Sequence, residues 1–301
     1  MKKLVFSLFV CGFVLAGCKN EPTVAPDGDR QIVVFFSAQS VSASLLKAAG
    51  DIDETISKVI LFGVDGQDVV AIDDPILEGT DLDNALDAGT EVTLSKRIKW
   101  LYAVANPSDD LETALGTTPP STLGDLLALT DDFTEAPDPS SLLMGGKGQI
   151  NPTAKSVKID LLRAVAKVEI IGLNLFEITS VQVTKTPDKG YVFEQSPFSI
   201  PDNTPVNYTK VESPDDMIFY VAENELPGTE FVVTGTFDSK QATYTIKTLK
   251  VEGVSHNIVR NTYYKIGLSP LTEDNFTVTI EITDWTPVEV DDQYIPDDNF
   301  I

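Results

Sequence analysis

The chain has 301 residues, with 46 Asp and Glu against 22 Lys and Arg, for a formal charge of −24. An acidic surface of that size argues against nucleic acid and anionic membrane as partners. Hydrophobic residues make up 42%, which argues against a disordered acidic chain, and the length allows about two domains.

The N-terminus reads as an export signal. Lys2 and Lys3 precede the apolar run Leu4 to Val14, which has the length of a signal-peptide core and is too short to span a bilayer. The run closes on Leu15-Ala16-Gly17-Cys18, small residues before a cysteine, as lipoprotein processing needs. Residues 1–17 are therefore expected to leave as a signal peptide, with lipid on Cys18. An ordinary secretory signal with an incidental cysteine is the alternative; position, spacing and residue types favour the lipobox. Loss of Lys2 and Lys3 takes the mature charge from −24 to −26. Cys11 leaves with the signal and Cys18 carries lipid, so neither serves as a disulfide partner or a thiolate nucleophile. Residues 18–30 form an acidic, polar tether without an apolar pattern.

Strands dominate the rest of the chain. Gln31-Ile-Val-Val-Phe-Phe-Ser37 is a continuous β-branched and aromatic run, expected to be buried on both faces. Ser57–Gly63 is a second strand, ending at the turn signal Asp65-Gly66. Trp100–Ala105, Ser156–Asp160 and Ala164–Ile171 come next, then Val181–Val183, Met217–Val221, Phe231–Phe237, Ala242–Leu249, Tyr263–Leu268 and Phe276–Ile282. Phe231–Phe237 and Thr243–Leu249 alternate apolar with polar residues, the pattern of a sandwich strand with one wet face. Helices are few and short. Thr122 and Asp125 form a capping box ahead of Leu123, Leu126 and Leu127, and Leu111 and Leu115 share a face after Ser108. The fold class is all-β, with two β-sandwiches in tandem over residues 31–162 and 163–301.

Chemistry is sparse. His256 is the one histidine, and it lies between Ser255 and Asn257 with no Gly-x-Ser-x-Gly elbow in the chain. Too few nitrogen and sulfur ligands exist for zinc. Met144-Gly-Gly-Lys-Gly148 lacks phosphate-loop spacing and reads as a flexible surface loop. The acidic pairs Asp73-Asp74, Asp109-Asp110, Asp131-Asp132, Asp215-Asp216, Asp291-Asp292 and Asp297-Asp298 fit no EF-hand, and they read as turn and capping residues. No catalytic residue, metal site or cofactor is expected, and the chain is read as a non-enzyme.

Several segments resemble the fimbrillins, the type V pilins of anaerobic Gram-negative bacteria. They are Ile56–Gly66, Leu101-Tyr-Ala-Val-Ala-Asn106, Leu161-Leu-Arg-Ala-Val-Ala-Lys-Val168, Phe219-Tyr-Val-Ala-Glu-Asn-Glu225, Arg260-Asn-Thr-Tyr-Tyr-Lys-Ile266 and the Trp-ended strand Val278–Trp285. Each segment alone is weak; their order, together with the lipobox, is fairly specific. The resemblance implies two transthyretin-like sandwiches and export to the outer membrane as a lipoprotein. An Arg- or Lys-specific protease then cuts at the cell surface and removes the first strand, and a C-terminal strand of another copy or a related pilin subunit fills the groove.

Matched onto this chain, the removable segment is 31–47, with Ile32, Val33, Val34, Phe35 and Phe36 as the exchanged apolar residues and cleavage between Lys47 and Ala48. Arg30 is the rival cut, but it would leave the strand in place. The five apolar side chains are worth on the order of 10 kcal/mol of burial. Residues 288–301 are the candidate donor tail, where Val288 and Val290 alternate with acids ahead of Tyr294 and Ile295 and Pro296 interrupts the strand. A frayed acidic tail is the competing reading. The rival for the whole protein is a surface glycan-binding β-sandwich lipoprotein; Trp100, in an apolar strand, and Trp285, ending the last strand, read as structural, which leaves Tyr263 and Tyr264 as conceivable platforms.

Overall fold

The computed structural model describes residues 28–38, 55–211, 217–224, 228–247, 249–251, 254–272 and 275–285, and it is mostly β. The first half contributes β1 (Asp29–Ala38), β2 (Lys58–Asp65), β3 (Asp68–Val70), β4 (Ile76–Glu78), β5 (Thr90–Ser95), β6 (Trp100–Ala105), β7 (Thr130–Asp132), β8 (Met144–Gln149) and β9 (Ser156–Arg163). All but β7 join one sheet in the order β3-β2-β6-β8-β9-β1-β5, with β4 paired onto β2. Residues from opposite ends of that order, Val59 and Leu61 of β2 and Val92 and Leu94 of β5, share one buried cluster, so the sheet curls around its core.

The sequence pattern explains which strands are covered twice. In β2, Val59 and Leu61 face the curled core, while Ile60, Phe62 and Val64 face a second cluster. That second layer comes from α2 (Asp109–Thr117) and α3 (Leu123–Leu127), through Leu111, Leu115 and Leu126. Both helices start where expected. Ser108 Oγ accepts from Leu111 N at 3.2 Å. The Thr122–Asp125 box closes with bonds of 3.1 Å, from Asp125 N to Thr122 Oγ1, and 3.2 Å, from Thr122 N to the Asp125 carboxylate; hydrogen bonding to Thr122, its side chain first and then its backbone, holds that carboxyl below its usual range. A further helix, α1 (Gly79–Asp87), is not among the expected elements; it has no capping side chain and buries only Leu82 and Ala85.

Two expectations are corrected. The first concerns β1, which alternates instead of burying both faces. Ile32, Val34 and Phe36 are core residues, whereas Val33 and Phe35 are half-buried on the other face, over Gly89. The second concerns Met144–Gly148, which is no surface loop. As β8 it pairs with β6 on one side and β9 on the other. Its glycines mark close backbone approach, because a Cβ on Gly145, Gly146 or Gly148 would lie 2.4, 2.4 and 2.6 Å from a backbone carbonyl oxygen. Gly146→Ala is therefore expected to lower stability by about 1–3 kcal/mol in denaturant titration; unchanged stability would show that the sheet opens freely at this point.

The second half adds β10 (Val165–Gly172), β11 (Glu177–Pro187), β12 (Lys189–Tyr191), β13 (Pro205–Val211), β14 (Ile218–Ala222), β15 (Glu230–Phe237), β16 (Lys240–Ile246), β17 (Leu249–Val251), β18 (Val254–His256), β19 (Thr262–Thr272) and β20 (Asn275–Asp284). Two four-stranded sheets, β14-β10-β19-β20 and β13-β11-β15-β16, close over one core that includes Val168, Ile170, Val181, Phe219, Phe231 and Ile266. The outer face of β10 and β14 meets α2, α3 and the outer face of β2 and β6 in a shared apolar layer. Only Ala164, fully buried, separates β9 from β10. The small β7–β12 pair links the halves a second time.

Candidate functional site

The structural feature with the clearest functional content is the slot occupied by β1. On one side β1 runs parallel to β9, with Val33 opposite Ser156 and Ala38 opposite Leu161. On the other it runs antiparallel to β5, from Asp29 opposite Ser95 to Val34 opposite Thr90. Among the described residues β5 has no other sheet partner. The slot is apolar on its inner face: Val92, Leu94, Val157 and Ile159 form one cluster with Ile32, Val34 and Phe36 of β1, which are 0%, 0% and 4% exposed. Helix α1 packs against β1 as well.

Both ends of β1 carry polar ties. At its start, the Arg30 guanidinium donates to the carbonyl of Ile98 at 2.7 Å and to those of Asn151 and Pro152 at 3.4 and 3.3 Å. Near its end, Ser37 Oγ donates to the Asp160 carboxylate at 2.5 Å. Backbone bonds from Val33 N to Lys155 O and from Lys96 N to Gly28 O, at 2.9 and 3.1 Å, extend the ladder.

The structure thus brings together Arg30, Ile32, Val33, Val34, Phe35 and Phe36. Cys18, Lys47, Ala48 and the tail residues Val288, Val290, Tyr294 and Ile295 lie outside the described residues. Of the acidic pairs, Asp131 is buried and its carboxylate accepts from the Ser108 backbone, the Ser108 hydroxyl and the Asp132 N–H. The pair does not lie in the expected turn: it belongs to β7, where Asp131 braces Ser108, the residue that starts α2. Asp131 and Asp109 line a cleft of about 600 Å³, where Glu112 pairs with Lys58 at 2.7 Å and raises the lysine's pKa chiefly through that hydrogen bond. Among the described residues no group of His, Cys, Asp and Glu is arranged to hold a metal.

Both tryptophans and both candidate platform tyrosines are engaged in contacts within the chain. Trp285 is buried, stacked on Tyr220 at 5.7 Å, with the Arg163 guanidinium over its ring at 4.4 Å. Tyr264 is buried, and its hydroxyl donates to Asn257 O and accepts from Val259 N, each at 2.9 Å. The Tyr263 hydroxyl donates to Glu169; burial first, then that carboxylate, pushes it above the usual phenol range. Trp100 is half-buried, with Lys147 Nζ 5.9 Å from its ring centre.

A family model described as "Fimbrillin-A associated anchor proteins Mfa1 and Mfa2" matches residues 76–291. The chain belongs to this fimbrillin-associated family. Membership places it among the fimbrial proteins of the cell surface. Solved structures similar to this member include a candidate cell-adhesion protein of Bacteroides eggerthii, at 16% identity and a TM-score of 0.58, covering 87% of this chain and 98% of that one. The C-terminally truncated tip fimbrial protein Mfa3 of Porphyromonas gingivalis has 13% identity and a TM-score of 0.58, covering 86% and 100%. A fimbrial assembly protein of Parabacteroides distasonis has 16% identity and a TM-score of 0.56, covering 85% and 98%. At these identities the likeness establishes the fold. No curated protein matches in sequence.

Two parts of the slot carry little sequence signal. Strand β5 is not among the expected strands, although Thr90-Glu-Val-Thr-Leu-Ser95 alternates and its Val92 and Leu94 are buried. The lysines flanking the slot, Lys96 and Lys155, carry no motif; only the pairing places them together.

Proposed function

We propose that this protein is a structural, non-catalytic subunit of a cell-surface fimbria. In this reading it is exported to the outer membrane as a lipoprotein on Cys18 and supports adhesion by polymerising through strand exchange. One observation supports the proposal: β1 is held between β9 and β5 and is the only described sheet partner of β5. Its departure would expose an apolar slot bordered by two rows of unpaired backbone groups, which is what an incoming strand binds.

The cut is assigned to the Lys47–Ala48 bond, made by an Arg- or Lys-specific surface protease, with Arg30 as the rival. One observation and one argument favour Lys47. The Arg30 guanidinium is tied to three carbonyls, and a cut after Arg30 would fall within β1 and leave its residues 31–38, with all their apolar side chains, in the slot. The replacing strand is assigned to residues 288–301 of another subunit, and the two-domain division to 31–162 and 163–301. Lys47→Ala is expected to leave a lipidated precursor outside the polymer, read as loss of the high-mass ladder from surface material; a normal ladder from that variant would overturn the assignment. A second reading, a lipid-retaining anchor subunit, is favoured by the description of the matching family, which names anchor proteins. It predicts a chain that begins at lipidated Cys18 and stays in the membrane fraction.

A further inference from the structure

The slot has a charged mouth. The start of β1 meets the end of β5 and the approach to β9 at one end of the first sheet, where Gly28 O accepts from Lys96 N and Lys155 O accepts from Val33 N. Lys96 and Lys155 therefore flank β1 from its two neighbouring strands. Arg97 and Lys99 follow Lys96 in the chain, and Lys158 lies further along β9, opposite Phe35; Arg30, on β1 itself, would leave with that strand. Lys96, Arg97, Lys99, Lys155 and Lys158 are all exposed. Asp65 pairs with Lys99 at 2.8 Å and Arg97 at 3.6 Å, and Asp160 pairs with Lys158 at 3.3 Å. Among the described residues no carboxylate is paired with Lys96 or Lys155. In a chain of net charge −24 this is a basic pole on an acidic body.

The occupant is indicated by charge and by where the chain ends. Residues 286–301 contain Glu289, Asp291, Asp292, Asp297 and Asp298 and no Lys or Arg. They continue from Trp285, which packs on Arg163 at the far end of β9 from the mouth. An eight-residue strand spans roughly 25 Å, so Trp285 lies at the opposite end of the sheet from the mouth. A basic mouth at one pole, and an acidic sequence following the residue at the other, suit a head-to-tail pairing of two copies.

We infer that Lys96 and Lys155 form an electrostatic gate that captures the acidic C-terminal segment of a second copy and admits it to the slot. The inference rests on the strand-exchange reading and deepens it. Attraction at the mouth steers encounter and sets the direction of entry, while the apolar floor supplies the lasting hold.

The test uses the full chain, processed and assembled at the cell surface, with ladder formation followed at 50 and 500 mM salt. The wild type is expected to assemble about tenfold more slowly at the higher salt. The Lys96→Glu/Lys155→Glu variant is expected to be slow at both, and a second copy carrying Asp291→Lys/Asp292→Lys is expected to restore its rate. Lys189→Glu/Lys247→Glu, with the same change of net charge in the second half, is the control and should assemble like wild type. Equal rates for wild type and the Lys96/Lys155 variant would overturn the gate while leaving strand exchange intact. If even wild type forms no ladder, the strand-exchange reading fails and the gate falls with it.

Discussion

A chain beginning at Ala48, with no strand supplied in place of β1, is expected to lose the cooperative unfolding transition of its first sheet. The reason is the balance of energies in the slot. Ile32, Val34 and Phe36 are almost wholly buried, and burying three such side chains is worth about 5–9 kcal/mol. A domain's total stability is about 5–15 kcal/mol. Losing β1 also strips β5 of its described sheet partner, leaving backbone donors and acceptors along both β5 and β9 without their ladder. Denaturant titration of the full chain, of the chain from Ala48, and of the latter with a peptide of residues 29–40 checks this. The transition should vanish in the second sample and return in the third. A chain from Ala48 that unfolds at the same midpoint as the full chain would show that β1 is dispensable to the sheet.

Glu223→Ala is expected to destabilise the second half by about 3–5 kcal/mol, because it leaves a buried guanidinium without its carboxylate. Arg260 and Glu223 are 5% and 3% exposed. The Arg260 Nε donates to Glu223 at 2.9 Å, and its two terminal nitrogens donate to the carbonyls of Val192 and Tyr191 at 2.9 and 2.8 Å. The pair thus fastens the segment after β12 to the turn before β19. Arg260→Ala should cost a similar amount, since it leaves the carboxylate and both carbonyls unmatched. Replacing both partners by Met and Leu should cost clearly less than either single change. Thermal or denaturant unfolding of the three variants decides it: a single substitution within about 0.5 kcal/mol of wild type would mean that water reaches the site.

The sequence made the architecture legible where pattern and packing agree. Trp100–Ala105 is β6 as expected, and Tyr263–Leu268 and Phe276–Ile282 fall inside β19 and β20. The Thr122–Asp125 capping box starts α3 because its reciprocal bonds are local and need no tertiary partner. Readings failed where the deciding partner is remote. Glycines 145, 146 and 148 look flexible in sequence, yet Val192, Asp160 and Lys158 come so close that only glycine fits. The apolar run of β1 suggests two buried faces, but its second face meets only Gly89 and partial cover. Helix α1 has a weak apolar stripe and no cap, and it is stabilised by packing against β1 and β5 more than by propensity. For the candidate site, the apolar content of β1 is readable. Its place between β5 and β9 is not, because a parallel pairing across more than a hundred residues leaves no local trace.

The central claim is that β1 is exchanged when the subunit polymerises. The most direct test is the N-terminal sequence and intact mass of the protein in fibres sheared from cells. A chain beginning at Ala48, within a detergent-resistant high-mass ladder, is the predicted result. A chain within that ladder that still carries residues 31–38 would contradict it, since the slot would then be filled by the subunit's own strand.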